Sequence, residues 1–103
     1  MIALWVDDMR APPNDSPSIE WHWAKNYEEA ISLLSKNSYD RISLDHDLGS
    51  EAYTGRHILR QIEYYNWWPK QICVHSMNPP GRQSMLSFIA KFAPTGVEIL
   101  SQC

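Results

Sequence analysis

Three short apolar segments of this sequence each end in polar side chains that can hold a metal ion, transfer a proton or bind a phosphate. The polar residues that follow the three segments are Asp7 and Asp8, then Asp45, His46 and Asp47, then His75 and Ser76. Carboxylates that lie close together repel one another, so they need a cation, a proton or hydrogen-bond donors beside them. Because ligands bind at the carboxyl ends of strands in open parallel α/β sheets, we expect the three polar tails to converge on one site.

Alternating strand and helix patterns predict the elements that position these tails. Strands are predicted at 2–6, 21–25, 40–45, 70–75 and 97–100, and helices are predicted to begin near Asn26, Thr54 and Pro79. The first helix has a capping pattern in which Asn26 is followed by Glu29, and apolar residues share one face of each helix. Residues 9–20 contain three prolines and are predicted to form a loop. Helical crossovers between strands imply parallel pairing, with helices on both faces of the sheet.

Length and composition fit a single globular domain over residues 1–103. The net charge of −3 argues against an extended, charge-driven surface for nucleic acid, but it leaves a small anionic ligand open. No apolar run approaches the ~20 residues of a membrane span, and the N-terminus lacks the basic segment and cleavage site of a signal peptide. Cys73 and Cys103 are too few for a disulfide framework, so a reducing, cytoplasmic setting is expected.

Part of the chain resembles a response-regulator receiver domain. The resemblance is carried by residues 24–34, 39–45 and 54–55, together with the pair Asp7 and Asp8. Receivers have a flavodoxin-like fold, so this resemblance implies a three-layer α/β sandwich around a parallel five-stranded sheet of order 2-1-3-4-5. The proline-rich loop stands where a receiver has its first helix.

A longer set of motifs is similar to those of the cyclic-phosphate processing receiver domain family. These motifs are found at 4–13, 43–49, 54–55 and 74–82. The resemblance spans nearly the whole chain, and the family name implies a role in handling cyclic phosphates. By resemblance to receivers, Asp45 lies at the phospho-acceptor position, and Asp7 and Asp8 lie at the metal-binding acids. Ser76 lies near the hydroxyl position after the fourth strand.

The two histidines that follow strands suit the opening of a cyclic phosphodiester. One group must activate water and another must protonate the leaving oxygen, and imidazoles with a pKa near ~6.5 can do both near neutral pH. We therefore assign His46 and His75 to acid–base catalysis, with Asp45 or Asp47 orienting one imidazole. The alternative is that each histidine is only a hydrogen-bonded residue at a strand end.

Other polar residues near the predicted site suit the binding of a phosphate. Ser76 and Asn78 can donate hydrogen bonds to phosphoryl oxygens, and the helix that begins near Pro79 would present backbone N–H groups to the same anion. Arg10 and Arg82 can neutralise its charge.

The acids Asp7, Asp8 and Asp45 form a predicted metal site. An all-oxygen cluster suits Mg²⁺ or Mn²⁺, and a histidine beside it favours Mn²⁺ or another transition metal. The alternative is a metal-free hydrogen-bonded network in which Arg10 or a backbone amide satisfies Asp7 or Asp8.

These residues together favour a small phosphoesterase that acts on a 2′,3′-cyclic phosphate RNA end or on a cyclic nucleotide. Three alternatives stay open: a non-catalytic cyclic-nucleotide binder, a receiver that accepts a phosphoryl group on Asp45, and a protein-interaction module. The absence of a lysine at the end of the last strand argues against the receiver. The small size suits a phage source, with the protein in the host cytoplasm. The sequence leaves the exact ligand and the oligomeric state open.

Overall fold

The chain forms an α/β domain in the computed structural model, which describes residues 1–14, 16–101 and 103. The strands are β1 (Ile2–Val6), β2 (Glu20–Ala24), β3 (Arg41–Leu44), β4 (Gln71–Val74) and β5 (Glu98–Ile99), and the helices are α1 (Tyr27–Lys36), α2 (Gly55–Tyr65) and α3 (Pro79–Phe92). The strands pair in parallel in the order β2-β1-β3-β4-β5, which confirms the receiver-like fold. Within the described residues, no helix is both long enough and apolar enough to span a membrane.

Polar side chains fix where the three helices begin. Asn26 caps α1, since its Oδ1 accepts the backbone N–H of Glu29 at 2.8 Å. The Asn78 side chain accepts a backbone N–H from the first turn of α3 at 3.1 Å. At α2, Nδ1 of His57 accepts the backbone N–H of Thr54 at 3.0 Å. Each helix follows a strand, so these three starts lie at the carboxyl end of the sheet.

The alternation of strand residues divides the sheet into two different faces. The strand residues that pack with the helices in one hydrophobic core are Leu4, Val6, Ala24, Ile42, Leu44, Ile72 and Val74. Helix α1 contacts α2, and α2 contacts α3, so the three helices form one layer over this face. Ala3, Trp5 and Cys73 occupy the intervening strand positions and are buried on the opposite face. In the part of the chain that the structure describes, no helix covers this second surface, and we call it the helix-free face.

The expectation of helices on both faces of the sheet is therefore revised. After β2 the chain crosses the sheet in a single direction, and right-handed crossovers then place every helix on the same side. Only the step from β1 to β2 runs the other way, and the chain makes that step through the predicted proline-rich loop. The described residues between 9 and 19 contain neither helix nor strand, whereas Glu20, the last residue of the predicted loop, is the first residue of β2. Asp15, which the loop prediction included, lies outside the described residues.

Tryptophan side chains join the helix-free face to the loop that follows β1. The indole N–H of Trp5 donates to the carbonyl oxygen of Arg10 at 2.8 Å. The indole N–H of Trp23 donates to the carbonyl oxygen of Asp7 at 2.8 Å. Trp5 is only 4% exposed. These contacts hold the start of the loop at the edge of the sheet where the polar residues lie.

The chain end is joined to the same face by a disulfide between Cys73 and Cys103. The two Cα atoms are 6.0 Å apart, a usual separation for a disulfide. This pair was not predicted from the sequence, because two cysteines separated by 30 residues give no local signal of pairing. Their proximity follows from the return of the chain through β5 beside β4.

Candidate functional site

Asp7, Asp45 and His75 lie side by side at the edge of the sheet. Each residue directly follows the last paired residue of its strand, in β1, β3 and β4 respectively. They continue the alternation of the helix-free face, so their side chains project on the side that has no helices. One oxygen or nitrogen atom from each side chain lies within 4.8 Å of the others. We call these three residues the strand-end cluster.

Asp7 is held as a carboxylate by donors on two sides. Its side chain is 2% exposed, and its Oδ1 accepts the backbone N–H groups of Met9 and Arg10, both at 2.8 Å. Its Oδ2 lies 3.0 Å from Nε2 of His75. Burial by itself raises the pKa of Asp7, but the hydrogen bonds from Arg10, Met9 and His75 outweigh it, and the pKa is lowered.

His75 is a buried, neutral and tightly oriented imidazole. Its Nδ1 lies 2.6 Å from the hydroxyl oxygen of Ser43, and its Nε2 faces Asp7. The ring stacks on Trp5 with 3.8 Å between ring centroids and an interplanar angle of 1°. Burial, more than any other influence, lowers the pKa of His75 to about 4. Both ring nitrogens thus have a hydrogen-bond partner. Because the pKa is about 4, the imidazole is uncharged at neutral pH.

Asp45 is a carboxyl group that lacks compensating charge. Burial raises its pKa, the negative charge of Asp7 raises it further, and backbone donors such as the N–H of His46 offset only part of the effect. The His46 N–H donates to Oδ1 of Asp45 at 2.8 Å. Two neighbouring carboxyl groups and a neutral imidazole form a donor set that fits a divalent cation such as Mg²⁺ or Mn²⁺.

Asp8 stands apart from the strand-end cluster. A β-carbon added to Gly49 would lie 2.8 Å from Oδ2 of Asp8, so this carboxylate packs against the loop after β3. The predicted metal site comprised Asp7, Asp8 and Asp45. The structure brings Asp7 and Asp45 together with His75. Asp8 lies in the bend after β1, where the chain turns so that the backbone N–H groups of Met9 and Arg10 donate to Asp7.

His46, Asp47 and Asn78 form a second polar group beside the strand-end cluster, and we call it the His46 group. Nδ1 of His46 lies 3.0 Å from Oδ1 of Asp47, and the Asn78 amide lies 3.4 Å from both Asp47 carboxylate oxygens. The imidazole packs against Gly81 in the first turn of α3, where an added β-carbon would lie 2.5 Å from Cγ of His46. A glycine at this position lets α3 approach the imidazole closely.

Ser76, Arg10 and Arg82, which were predicted to bind phosphate, each contact a residue of one of these two groups. The Ser76 hydroxyl oxygen accepts the backbone N–H of Asn78 at 3.0 Å. The Arg10 side chain is 56% exposed and its Nε lies 3.9 Å from Oδ2 of Asp7. The backbone N–H of Arg82 donates to the Asn78 carbonyl oxygen within the start of α3. The residues predicted from the strand ends thus lie at one end of the sheet.

Trp5, Ser43 and Gly81 support the site but were not among the predicted site residues. Ser43 is a fully buried polar residue between the buried apolar residues Ile42 and Leu44, and it lies two positions before Asp45. Trp5 likewise lies two positions before Asp7. A residue two positions before a strand-end acid lies on the same face of the sheet as that acid. A polar or aromatic side chain at this position is therefore a sequence signal that could have identified Ser43 and Trp5.

The family model described as the cyclic-phosphate processing receiver domain matches residues 2–91. The match includes the strand-end cluster, the His46 group and the predicted phosphate-binding residues. It ends before β5 and the chain end that carries Cys103. No curated protein sequence matches the chain.

Proposed function

The chain belongs to the cyclic-phosphate processing receiver domain family, and we propose that it is a phosphoesterase that opens a cyclic phosphate. The substrate is a cyclic nucleotide or an RNA end with a 2′,3′-cyclic phosphate. The proposal rests on one observation. Asp7, Asp45 and His75 form a cluster suited to a cation, and the residue directly after Asp45 is His46, whose imidazole is paired with the Asp47 carboxylate.

The strand-end cluster would hold Mg²⁺ or Mn²⁺ through Asp7, Asp45 and His75. A divalent cation bound there would supply positive charge to a phosphoryl group. The raised pKa of Asp45 supports this assignment, because a cation relieves the repulsion between the two carboxyl groups. In the cation-free cluster Nε2–H of His75 donates to Asp7. Binding of a cation through Nε2 would move this proton to Nδ1, which would then donate to the Ser43 hydroxyl oxygen.

His46 is the residue that we assign to proton transfer. Its Nδ1–H donates to Asp47, which leaves a lone pair on Nε2. As the water oxygen attacks phosphorus, one water proton passes to Nε2 and a P–O bond of the cyclic phosphate breaks. The released sugar oxygen then takes the proton from the His46 imidazolium. The product is a phosphate monoester, and His46 returns to its neutral form.

His75 has a different role in this proposal from the one that the sequence analysis assigned to it. A group that exchanges protons with substrate needs a free ring nitrogen and a pKa near the working pH. His75 has both nitrogens hydrogen-bonded and a pKa of about 4. Those properties suit a residue that holds a cation or orients Asp7.

The start of α3 and two arginines are assigned to the phosphate. Pro79 and Pro80 carry no backbone N–H, and the N–H groups of Gly81 and Arg82 donate to Asn78. The side-chain amide of Asn78 is therefore the donor that the start of α3 would offer to the phosphate. Arg10 and Arg82 would balance the charge of the phosphoryl oxygens. The acids at this edge would repel a phosphate if the cation and these arginines were absent.

A turnover assay tests the proposal. Purified protein is incubated with 2′,3′-cyclic, 3′,5′-cyclic and cyclic dinucleotide substrates in Mg²⁺, Mn²⁺ or EDTA. We expect one class to be converted to a monoester in a reaction that EDTA abolishes. Asp45→Asn and His46→Ala should each lose most of this turnover.

His22→Ala provides a matched control, because His22 hydrogen-bonds Tyr39 and Glu20 outside the two site groups. Its turnover should stay near that of the wild type. Two results would contradict the proposal. A thermal shift with a nucleotide but no product would identify a binding protein, and labelling of Asp45 by acetyl phosphate without turnover would identify a receiver.

A further inference from the structure

We infer that a pocket between α1 and α2 binds the nucleobase of the substrate. This inference rests on the proposed function for its link to a cyclic phosphate. The residues that line the pocket are Tyr27, Tyr53, His57, Arg60, Gln61 and Tyr64, and its volume is about 270 Å³. We call it the tyrosine pocket. These residues lie within the range that the family model matches, but none of them has a role in the chemistry proposed above.

Two parallel aromatic rings form one wall of the tyrosine pocket. Tyr27 and Tyr53 stack with 4.1 Å between ring centroids and an interplanar angle of 7°. Tyr53 is 39% exposed and Tyr64 is 78% exposed. Aromatic side chains normally bury most of their surface. Tyr27 covers one face of Tyr53, so a base would stack on the remaining exposed surface of Tyr53 or on Tyr64, as bases do on exposed aromatic side chains.

Hydrogen-bond donors line the same pocket. Nδ1 of His57 accepts the backbone N–H of Thr54, so the neutral ring carries its proton on Nε2 and presents a donor there. Arg60 and Gln61 add guanidinium and amide N–H groups. Residues 57, 60, 61 and 64 recur at helical spacing on one side of α2. Ring faces combined with donors match the two features of a base, its π-surface and its polar edge.

The tyrosine pocket begins at the same end of the sheet as the strand-end cluster. The backbone N–H of Gly55, the first residue of α2, donates to the His46 carbonyl oxygen at 2.9 Å. A side chain at Gly55 would collide with the Asp45 backbone, so α2 starts directly against the end of β3. Tyr53 lies two residues before this contact. The strand-end side chains project on the helix-free face, whereas the tyrosine pocket lies in the helical layer. A substrate that reaches both regions would therefore pass over the edge of the sheet at His46, with its base at Tyr53 and its cyclic phosphate at the strand ends.

Binding of adenosine tests the inference without requiring turnover. Adenosine and ribose are titrated separately into the wild-type protein while amide chemical shifts are recorded by NMR. We expect adenosine, but not ribose, to shift the amides of Tyr53, His57 and Gln61. Tyr53→Ala should weaken adenosine binding roughly 5- to 150-fold, the usual effect of losing one stacking partner. Tyr53→Phe keeps the ring and should bind nearly as the wild type does. Equal binding by wild type and Tyr53→Ala, or shifts confined to other regions, would overturn the inference.

Turnover distinguishes this inference from the proposed function. If adenosine binds in the tyrosine pocket but no cyclic phosphate is opened, the pocket assignment stands and the phosphoesterase proposal fails. If cyclic phosphates with and without a base are opened equally by wild type and Tyr53→Ala, the phosphoesterase proposal stands and the pocket assignment fails. Comparing adenosine 2′,3′-cyclic phosphate with an oligonucleotide that ends in the same group identifies which source of the base is preferred.

Discussion

The contact between His46 and Gly81 leads to a prediction in which stability and turnover respond differently. Replacing Gly81 by alanine places a β-carbon 2.5 to 2.8 Å from three atoms of the His46 ring. Carbon atoms pack without strain at about 3.5 to 4.0 Å, so either the imidazole or the start of α3 must move. In either case, the imidazole moves relative to Asp47 or to the Asn78 cap.

The net change in stability combines two opposing effects. Alanine is favoured over glycine inside a helix by up to about 1 kcal/mol. Forcing extra volume into a close-packed contact typically costs about 1–3 kcal/mol. We therefore expect Gly81→Ala to lower the free energy of unfolding by about 0–2 kcal/mol. Turnover should fall further, by roughly 100-fold, because a displacement of about 1 Å is enough to misplace a catalytic group.

Urea unfolding and initial rates on the same preparations measure both effects. Ser87→Ala is the matched control, since it also places alanine in α3 but at an exposed position. It should leave turnover unchanged. If Gly81→Ala were more stable than the wild type by the full helix-propensity gain and equally active, the close packing of His46 on α3 would be refuted.

Three further predictions concern the strand-end cluster and the chain end. Asp45→Asn should raise the unfolding temperature of the metal-free protein, since it removes one of two neighbouring carboxyl groups. It should also abolish stabilisation by Mn²⁺, which for the wild type is about 2.7 kcal/mol at 100 times Kd. If Mn²⁺ raised the unfolding temperature of the variant as much as that of the wild type, this prediction would be contradicted. In EDTA, the free energy of unfolding should fall by on the order of 3 kcal/mol as pH drops from 6.5 to about 4, because His75 in the unfolded chain takes up a proton that the folded form excludes. Urea unfolding of His75→Asn over the same pH range should lack this loss of stability. If the variant and the wild type had the same pH profile, a neutral His75 would be contradicted. Cys103→Ser should lower the free energy of unfolding by about 3–4 kcal/mol, as expected for opening a loop of about 30 residues. If the variant and the unreduced wild type had equal free energies of unfolding, the disulfide would not contribute to stability.

Local patterns predicted the elements of this fold because each helix and strand carries its own signal. The Asn26 cap and the proline pair at the start of α3 mark helix starts that the structure confirms. The strand order came from family resemblance, since periodicity does not specify which strands are neighbours. The single helical layer was missed because it depends on the direction in which the chain crosses the sheet, a property of the whole topology.

The site was partly predictable for the same reason. Strand ends of a parallel sheet meet at one edge, so Asp7, Asp45 and His75 were expected near one another, and the structure places them together. The state of His75 was not predictable, because its low pKa arises from burial beside Trp5 and Ser43. Those contacts form only when β1, β3 and β4 are paired in register.

The most direct measurement of the central claim is the ³¹P NMR spectrum of a 2′,3′-cyclic nucleotide during incubation with the wild-type protein and the diamagnetic ion Mg²⁺. Opening of the cyclic phosphate should replace its resonance with that of a phosphate monoester, and the replacement should stop when EDTA is added. His46→Ala should leave the cyclic resonance in place. A cyclic resonance that persists with the wild-type protein, although the nucleotide demonstrably binds, would contradict the assignment of this chain as a phosphoesterase.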